Sequence, residues 1–502
     1  MTIALVVFFL ILYCSFYISN RAYESIKKID GTKNIFFGNS SFLAINSNIG
    51  SVFTLSLFCS LVALTFKMEL HAIPLLIGSA LLSLLVLFVA IKKIYAINSI
   101  YNENNLLRSS LDYFRIMFGV KSALLIGWFY IILFTISISL ELSIFNYLIK
   151  VYFVDDIILS RILTFMLISV CLMYVYIGSY LGVLKTDTFQ LFVIIVALIM
   201  INYALYDYLL HAGLDIAEIS RISFSNFEKI NYDHNNLLNT IFQIVILVFV
   251  ISMWFIAMPD FWIRNIGTLK SENDQRKAIK RSVIFLMPLA VMIIIFAFYL
   301  KTIFAWSSDS EAPFYSLMKF IGVLISKKEM LGQTEDIFHN MINGTVNQFI
   351  LIVCTFALFT LILLTTLNTF LITTAQLRSI MKSYTKQNIQ QSDPRAFVFI
   401  VGAIASVHTI LLQKSIFAGW GTFAASLFLY KSSVMFTALI IKNPKDERKV
   451  FYSLISSFVV FLSTIIIAWN YHYLMFISMH SVLCALYILP FPLLVLFISK
   501  KT

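Results

Sequence analysis

Long apolar runs leave this chain almost no choice of architecture. Between residues 2 and 498 the sequence divides into 13 such stretches, roughly 2–19, 42–66, 71–96, 121–149, 158–180, 183–209, 237–258, 282–305, 347–376, 396–413, 417–441, 450–470 and 473–498. A helix needs about 20 residues to cross the hydrocarbon core of a bilayer. Lipid offers the backbone no hydrogen bonds, so runs this long and apolar satisfy themselves as helices. The expected fold is an all-α polytopic membrane protein. Composition agrees, with 60% hydrophobic and 12% charged residues over 502 positions, far from the usage of soluble domains.

The net charge of +12 does not point to nucleic acid, because the cations gather in particular loops. Arg21, Lys27, Lys28 and Lys33 fall in loop 20–41. Lys92, Lys93, Arg108 and Arg115 fall in and just before loop 97–120. Arg264, Lys270, Arg276, Lys277, Lys280 and Arg281 fall in loop 259–281. Arg378, Lys382, Lys386 and Arg395 fall in loop 377–395, and Lys442, Lys445, Arg448 and Lys449 in loop 442–449. With 13 spans all of these lie on one side. Asp215, Glu218, Glu228 and Asp233 lie on the other. The positive-inside rule then predicts the N-terminus outside, the C-terminus in the cytoplasm, and residence in the cell membrane. Thr2 to Ser19 lacks a basic leading region and reads as a retained helix. The cysteines Cys14, Cys59, Cys171, Cys354 and Cys484 all lie in apolar spans without metal-ligand spacing, and read as free thiols.

Polar residues inside such spans carry the functional signal. Ile362 to Gln376 holds five threonines and an asparagine. Thr365, Asn368 and Thr369 share a helix face, Thr366 lies beside them, and Thr373 extends the patch. Hard oxygens on one face suit a dehydrated small cation. They equally suit packing, because threonine readily bonds its own i−4 carbonyl or a neighbouring helix. Span 42–66 opens with Asn46, Ser47, Asn48, Gly50 and Ser51, and span 237–258 runs into Pro259. Both read as interrupted helices, the sequence pointer to transporters built from inverted repeats; a polar packed helix at the first and an ordinary helix terminus at the second are the alternatives. Asp187 and Glu141 are intramembrane acids and so functional candidates. Asp187 could line an ion path, cap its helix, or pair with Lys185 or a loop arginine. Glu141 could face a cavity or bond a neighbouring helix. No P-loop, H-E-x-x-H or nucleophile-elbow motif is present, so an enzyme is not expected.

Five stretches resemble the sodium:solute symporter family, relatives of the sugar, proline, pantothenate and sialic acid carriers. They are Ser47 to Ser51, Ser110 to Gly119, Tyr176 to Gln190, Pro259 to Ser271, and Phe417 to Gly421. The Tyr176 to Gln190 stretch is similar to the family's G-G-L-x-A-V-x-x-T-D-x-x-Q run and is the most specific. The resemblance implies a LeuT-like core of two inverted five-helix repeats, at 42–209 and 237–413, with an extra helix at 1–20 and C-terminal helices at 417–502. It implies a sodium site made by the carbonyls of Asn46, Ile49 and Ile362 and the hydroxyls of Thr365 and Thr366. A second cation site would use Asp187, Asn368 and Thr369, although asparagine replaces the family's usual small hydroxyl residue. Substrate-cavity candidates are Asn48, Phe53, Glu141, Trp254 and Phe255. The function implied is Na⁺-coupled import of a small organic solute, with Na⁺ as the coupling ion and membrane lipid as surroundings. A solute sensor or regulatory membrane subunit without coupled transport is the alternative.

Overall fold

The computed structural model describes residues 2–26, 41–68, 109–152, 157–211, 258–267, 272–304, 345–385, 394–411 and 445–470, with single residues or short groups in 73–85 and 427–441. All regular structure among them is helical. In chain order the elements are α1 (Thr2–Ile26), α2 (Ser41–Val52), α3 (Leu55–Met68), α4 (Ser110–Phe118), α5 (Val120–Tyr152), α6 (Ile157–His211), α7 (Pro259–Trp262), α8 (Glu272–Phe304), α9 (Thr345–Tyr384), α10 (Phe397–Leu411) and α11 (Glu447–Asn470). Five of the described helices are long and apolar enough to cross a membrane: α1, α5, α6, α8 and α9. Spans 71–96, 237–258, 417–441 and 473–498 lie wholly or mostly outside the described residues, as do Trp254, Phe255, Cys484 and the Phe417 to Gly421 stretch.

The bundle has its apolar surface outside and its polar residues inside. Phe192 is 67% exposed and Phe165 is 61% exposed on α6, which suits contact with lipid. The axis is α9, on which every side chain from Thr355 to Leu377 is buried. Helices α1, α2, α5, α6 and α10 all pack against it. The threonine-rich stretch is therefore the centre of the molecule.

Three departures from regular helix shape the core. The first separates α2 from α3 at Phe53 and Thr54. The sequence places Asn46 to Ser51 at the interruption, yet these residues are helical and the break follows them. Thr54 Oγ1 accepts the Leu57 N–H at 3.0 Å, so it starts α3 as an N-cap. Gly50 stays helical because it allows close approach: a Cβ there would collide with the Thr365 methyl.

The second departure divides α6. Ser179 has φ 54° and ψ −151°, so the long helix is two segments joined by a strained residue. The sequence places this junction at 181–182. Ser19 of α1 fills the groove beside Gly178 and donates its hydroxyl to the Tyr174 carbonyl at 2.6 Å, which serves a carbonyl near the kink.

The third lies at Met258 and Pro259. Met258 is extended, and Pro259 opens α7 at the first helical position, where its missing N–H is no loss. Helix α7 passes directly into a π turn, Ile263–Gly267. The stretch read from sequence as loop 259–281 is thus largely ordered helix: 259–267 is helical, and 272–281 forms the first turns of α8. Loop 97–120 likewise contains α4. Ser109 caps its start by accepting from the Asp112 N–H, and Gly119 ends it at φ 86°. The Glu447 side chain lies over Gly119 and accepts the Lys121 N–H at 2.7 Å, so α11 seals this corner.

Candidate ion-binding site

Helix α2 packs against α9 ahead of the break, and Gly50 is the point of contact with Thr365. Thr365 and Thr366 are fully buried. Each donates its hydroxyl proton to the carbonyl one turn back, Thr365 to Leu361 at 2.6 Å and Thr366 to Ile362 at 2.9 Å. A hydroxyl committed this way keeps its oxygen lone pairs as acceptors. The Ile49 carbonyl accepts from Phe53 N–H at 3.0 Å, the last helical bond before the break. Asn46 is half-buried, four residues earlier on the same α2 face as Gly50, and its amide donates to Thr188 Oγ1 at 3.4 Å. In this arrangement Asn46 and Ile49 belong to the helical end of α2, one turn and more before the interruption.

Glu141 is buried on α5 and bonds the far side of the same break. Its carboxylate accepts from the Ser56 backbone N–H at 3.2 and 3.3 Å, and from the Ser56 hydroxyl. Ser56 Oγ is also 2.9 Å from Thr54 Oγ1. The first N–H groups of α3 have no carbonyl of the preceding turn to bond and lie at the positive end of the helix dipole, so a carboxylate is well placed there. Glu141 is thus the group that anchors the second half of the broken helix. Phe53 is buried at the break itself.

Asn48 points the other way. Its amide donates to Asn265 Oδ1 and Ser282 Oγ, both at 3.0 Å, and Asn265 returns a bond to Asn48 Oδ1 at 3.2 Å. This reciprocal amide pair clamps α2 to the π turn and to α8.

Asp187, Asn368 and Thr369 are brought together, and an arginine of the 259–281 stretch joins them. Ser47 donates its hydroxyl to Asp187 Oδ2, and Asn368 Nδ2 donates to Asp187 Oδ1 at 3.1 Å and to Gln190 Oε1 at 3.2 Å. Asn368 Oδ1 is turned away from Asp187 and accepts from Tyr174 and from Cys171, the latter at 3.2 Å. Arg264 joins this group from the π turn. Its Nη2 donates to Thr369 Oγ1 at 2.7 Å, its Nη1 donates to the Ser47 carbonyl, and Asp260 Oδ2 lies 3.9 Å away.

Arg264 is only 1% exposed. Its place in a cation-rich stretch reads as loop charge, and only its helical spacing of four from Asp260 hints at a buried pair. Lys431 is also buried, at 3% exposed, within a span whose apolar neighbours mask it in a hydropathy reading. Its Nζ lies 4.4 Å from the Tyr130 ring centroid and 3.4 Å from Met258 Sδ.

Among the described residues no group of three or more His, Cys, Asp or Glu side chains could hold a metal ion. The donors gathered here are instead carbonyls, hydroxyls and one carboxylate, the chemistry of hard cations. No protein-family model matches the chain, and no curated protein matches it. Among solved structures, its fold matches a Na⁺-coupled sialic acid symporter captured substrate-bound and outward-open, described as revealing a novel Na⁺ site. The match has a TM-score of 0.65 at 16% identity and covers 99% of both chains. The chain is therefore a multi-pass membrane protein that shares the fold of that structure.

Proposed function

We propose that the protein is a Na⁺-coupled symporter of the cell membrane that imports a small organic solute by alternating access. The fold likeness to a Na⁺-coupled symporter supports this reading. So does the full-length correspondence, which suits a core of two inverted five-helix repeats at 42–209 and 237–413. The observation that carries it is the seating of Gly50 on Thr365 beneath the break at Phe53 and Thr54. That contact would bring the end of α2 close to the buried hydroxyls of Thr365 and Thr366.

In this reading Na⁺ is held between α2 and α9 by the carbonyls of Asn46, Ile49 and Ile362 and the two hydroxyls. Occupancy would fix the broken helix against α9 and favour the state that accepts solute. By linkage, solute binding raises sodium affinity by the same factor. Inward release is then driven by low cytoplasmic sodium and by the membrane potential, about 2.3 kcal/mol per charge per 100 mV. Phe53 at the break and Glu141 beneath α3 frame the solute side, and Trp254 and Phe255 complete the expected cavity.

Uptake of radiolabelled solutes into proteoliposomes, with Na⁺ exchanged for K⁺, tests the proposal. Uptake should vanish in K⁺. Uptake that ignores the exchange, or follows a proton gradient instead, refutes sodium coupling. Binding of a solute without any uptake would make the protein a sensor.

A further inference from the structure

The triad of Asp187, Thr369 and the Ser47 carbonyl is a set of oxygens from three helices, α6, α9 and α2, converging in a dry interior. A carboxylate, a hydroxyl and a carbonyl are what a second hard cation would take. In this chain the place already holds a positive charge. Arg264 Nη2 occupies the Thr369 hydroxyl at 2.7 Å and Nη1 occupies the Ser47 carbonyl. The same Ser47 gives its hydroxyl to Asp187, so guanidinium and carboxylate are joined through one residue. Asn368 adds to this. Its amino group, not its oxygen, faces Asp187 at 3.1 Å. Its oxygen is taken by Tyr174 and Cys171. A cation arriving here would meet N–H donors.

We infer that Arg264 is a resident cation that takes the place of a second coupling ion, so that each transport cycle moves a single sodium. An arginine suits the task because it stays charged at any physiological pH and its planar fork serves two acceptors at once. An intramembrane carboxylate needs a compensating charge, and here that charge is covalently attached to the π turn after α7, where it also faces Asp260 at 3.9 Å. It can move with the helix but cannot leave into the cytoplasm. Counting one sodium per cycle rests on the symport proposed above. Occupation of the second place by Arg264 does not.

Equilibrium binding of radioactive sodium to the full-length protein in nanodiscs separates these claims. Wild type should bind a single sodium, with a Hill coefficient of about 1. Arg264→Gln removes the charge and shortens the reach, leaving Asp187 uncompensated. Sodium bound per protein should double, and adding Asp187→Asn should return it to the wild-type count. A wild type that binds two sodium ions overturns the inference and leaves symport standing, and this count requires no variant. A cooperatively melting Arg264→Gln protein that still binds only one also overturns it. If wild type binds none and Arg264→Gln binds one, the role of Arg264 stands and sodium coupling falls.

Discussion

Glu141 holds Ser56 by three contacts, two to the backbone N–H and one to the hydroxyl, and so ties α5 to the first turn of α3. Hydrogen bonds to a charged group contribute about 1.5–3 kcal/mol each, and a buried donor left without its acceptor costs about 1–3 kcal/mol. Glu141→Ala should lower the melting temperature in detergent, and Glu141→Gln should restore part of the loss, because its carbonyl oxygen still accepts. A melting temperature unchanged in Glu141→Ala would remove the anchoring role.

The contact of Gly50 with Thr365 makes a sharper prediction. Gly50→Ala places a methyl against Thr365 Cγ2. Overpacking of this kind costs about 1–3 kcal/mol. Thr365→Ser removes that methyl and keeps the hydroxyl, so the double variant should recover both stability and sodium affinity. The non-additivity should be about 0.5–3 kcal/mol in a double-mutant cycle. Independent effects would mean that the two helices do not meet there.

Sodium itself should stabilise the protein. At a concentration 100 times its dissociation constant, a single bound ion adds about 2.7 kcal/mol. Titrating Na⁺ against a constant background of K⁺ should raise the melting temperature and saturate. Thr365→Ala with Thr366→Ala should abolish the rise, and the paired serine variants should retain it. A double alanine variant with an undiminished rise would displace the site from α9.

Lys431 offers a test of opposite sign. Its ammonium is buried over the rings of Tyr130 and Phe428, with the Asp260 carboxylate acting on it electrostatically. A buried ammonium carries a desolvation cost of several kcal/mol, which a methionine of similar volume does not. Lys431→Met should therefore melt at a higher temperature than wild type. A marked drop would show that the ammonium holds the helices together.

Much of this arrangement is legible in the chain. Hydropathy alone finds α1, α5, α6, α8 and α9, because period and length dominate when the solvent is lipid. The broken first core helix is foreshadowed by its crowd of Asn, Ser and Gly, but the break falls after them. Its position is set by the local Thr54 cap and by Glu141, a partner distant in sequence that local propensity does not register. The threonine patch stands out, yet the division of labour within it does not. Whether Thr369 receives an ion or a guanidinium depends on Arg264, 105 residues away in sequence. Charge counting assigns that arginine to a loop, since pattern reading has no means of distinguishing a solvated cation from one folded inward. Ser179 carries no turn signature, and Ser19, distant in sequence, packs beside the neighbouring Gly178.

The enclosure of α9 has a consequence for biogenesis. This helix is the wall against which α1, α2, α5 and α6 are seated, yet the ribosome makes it after all of them. Chains emerge N-terminal part first, so the earlier helices must enter the bilayer with polar faces such as Ser47, Asn48 and Asp187 still awaiting their final neighbours. The vacancy is closed only when residues 345–384 arrive. Ribosome-stalled chains ending before α9 should therefore be the species that quality-control proteases and membrane chaperones engage, and chains extended past Tyr384 should escape them.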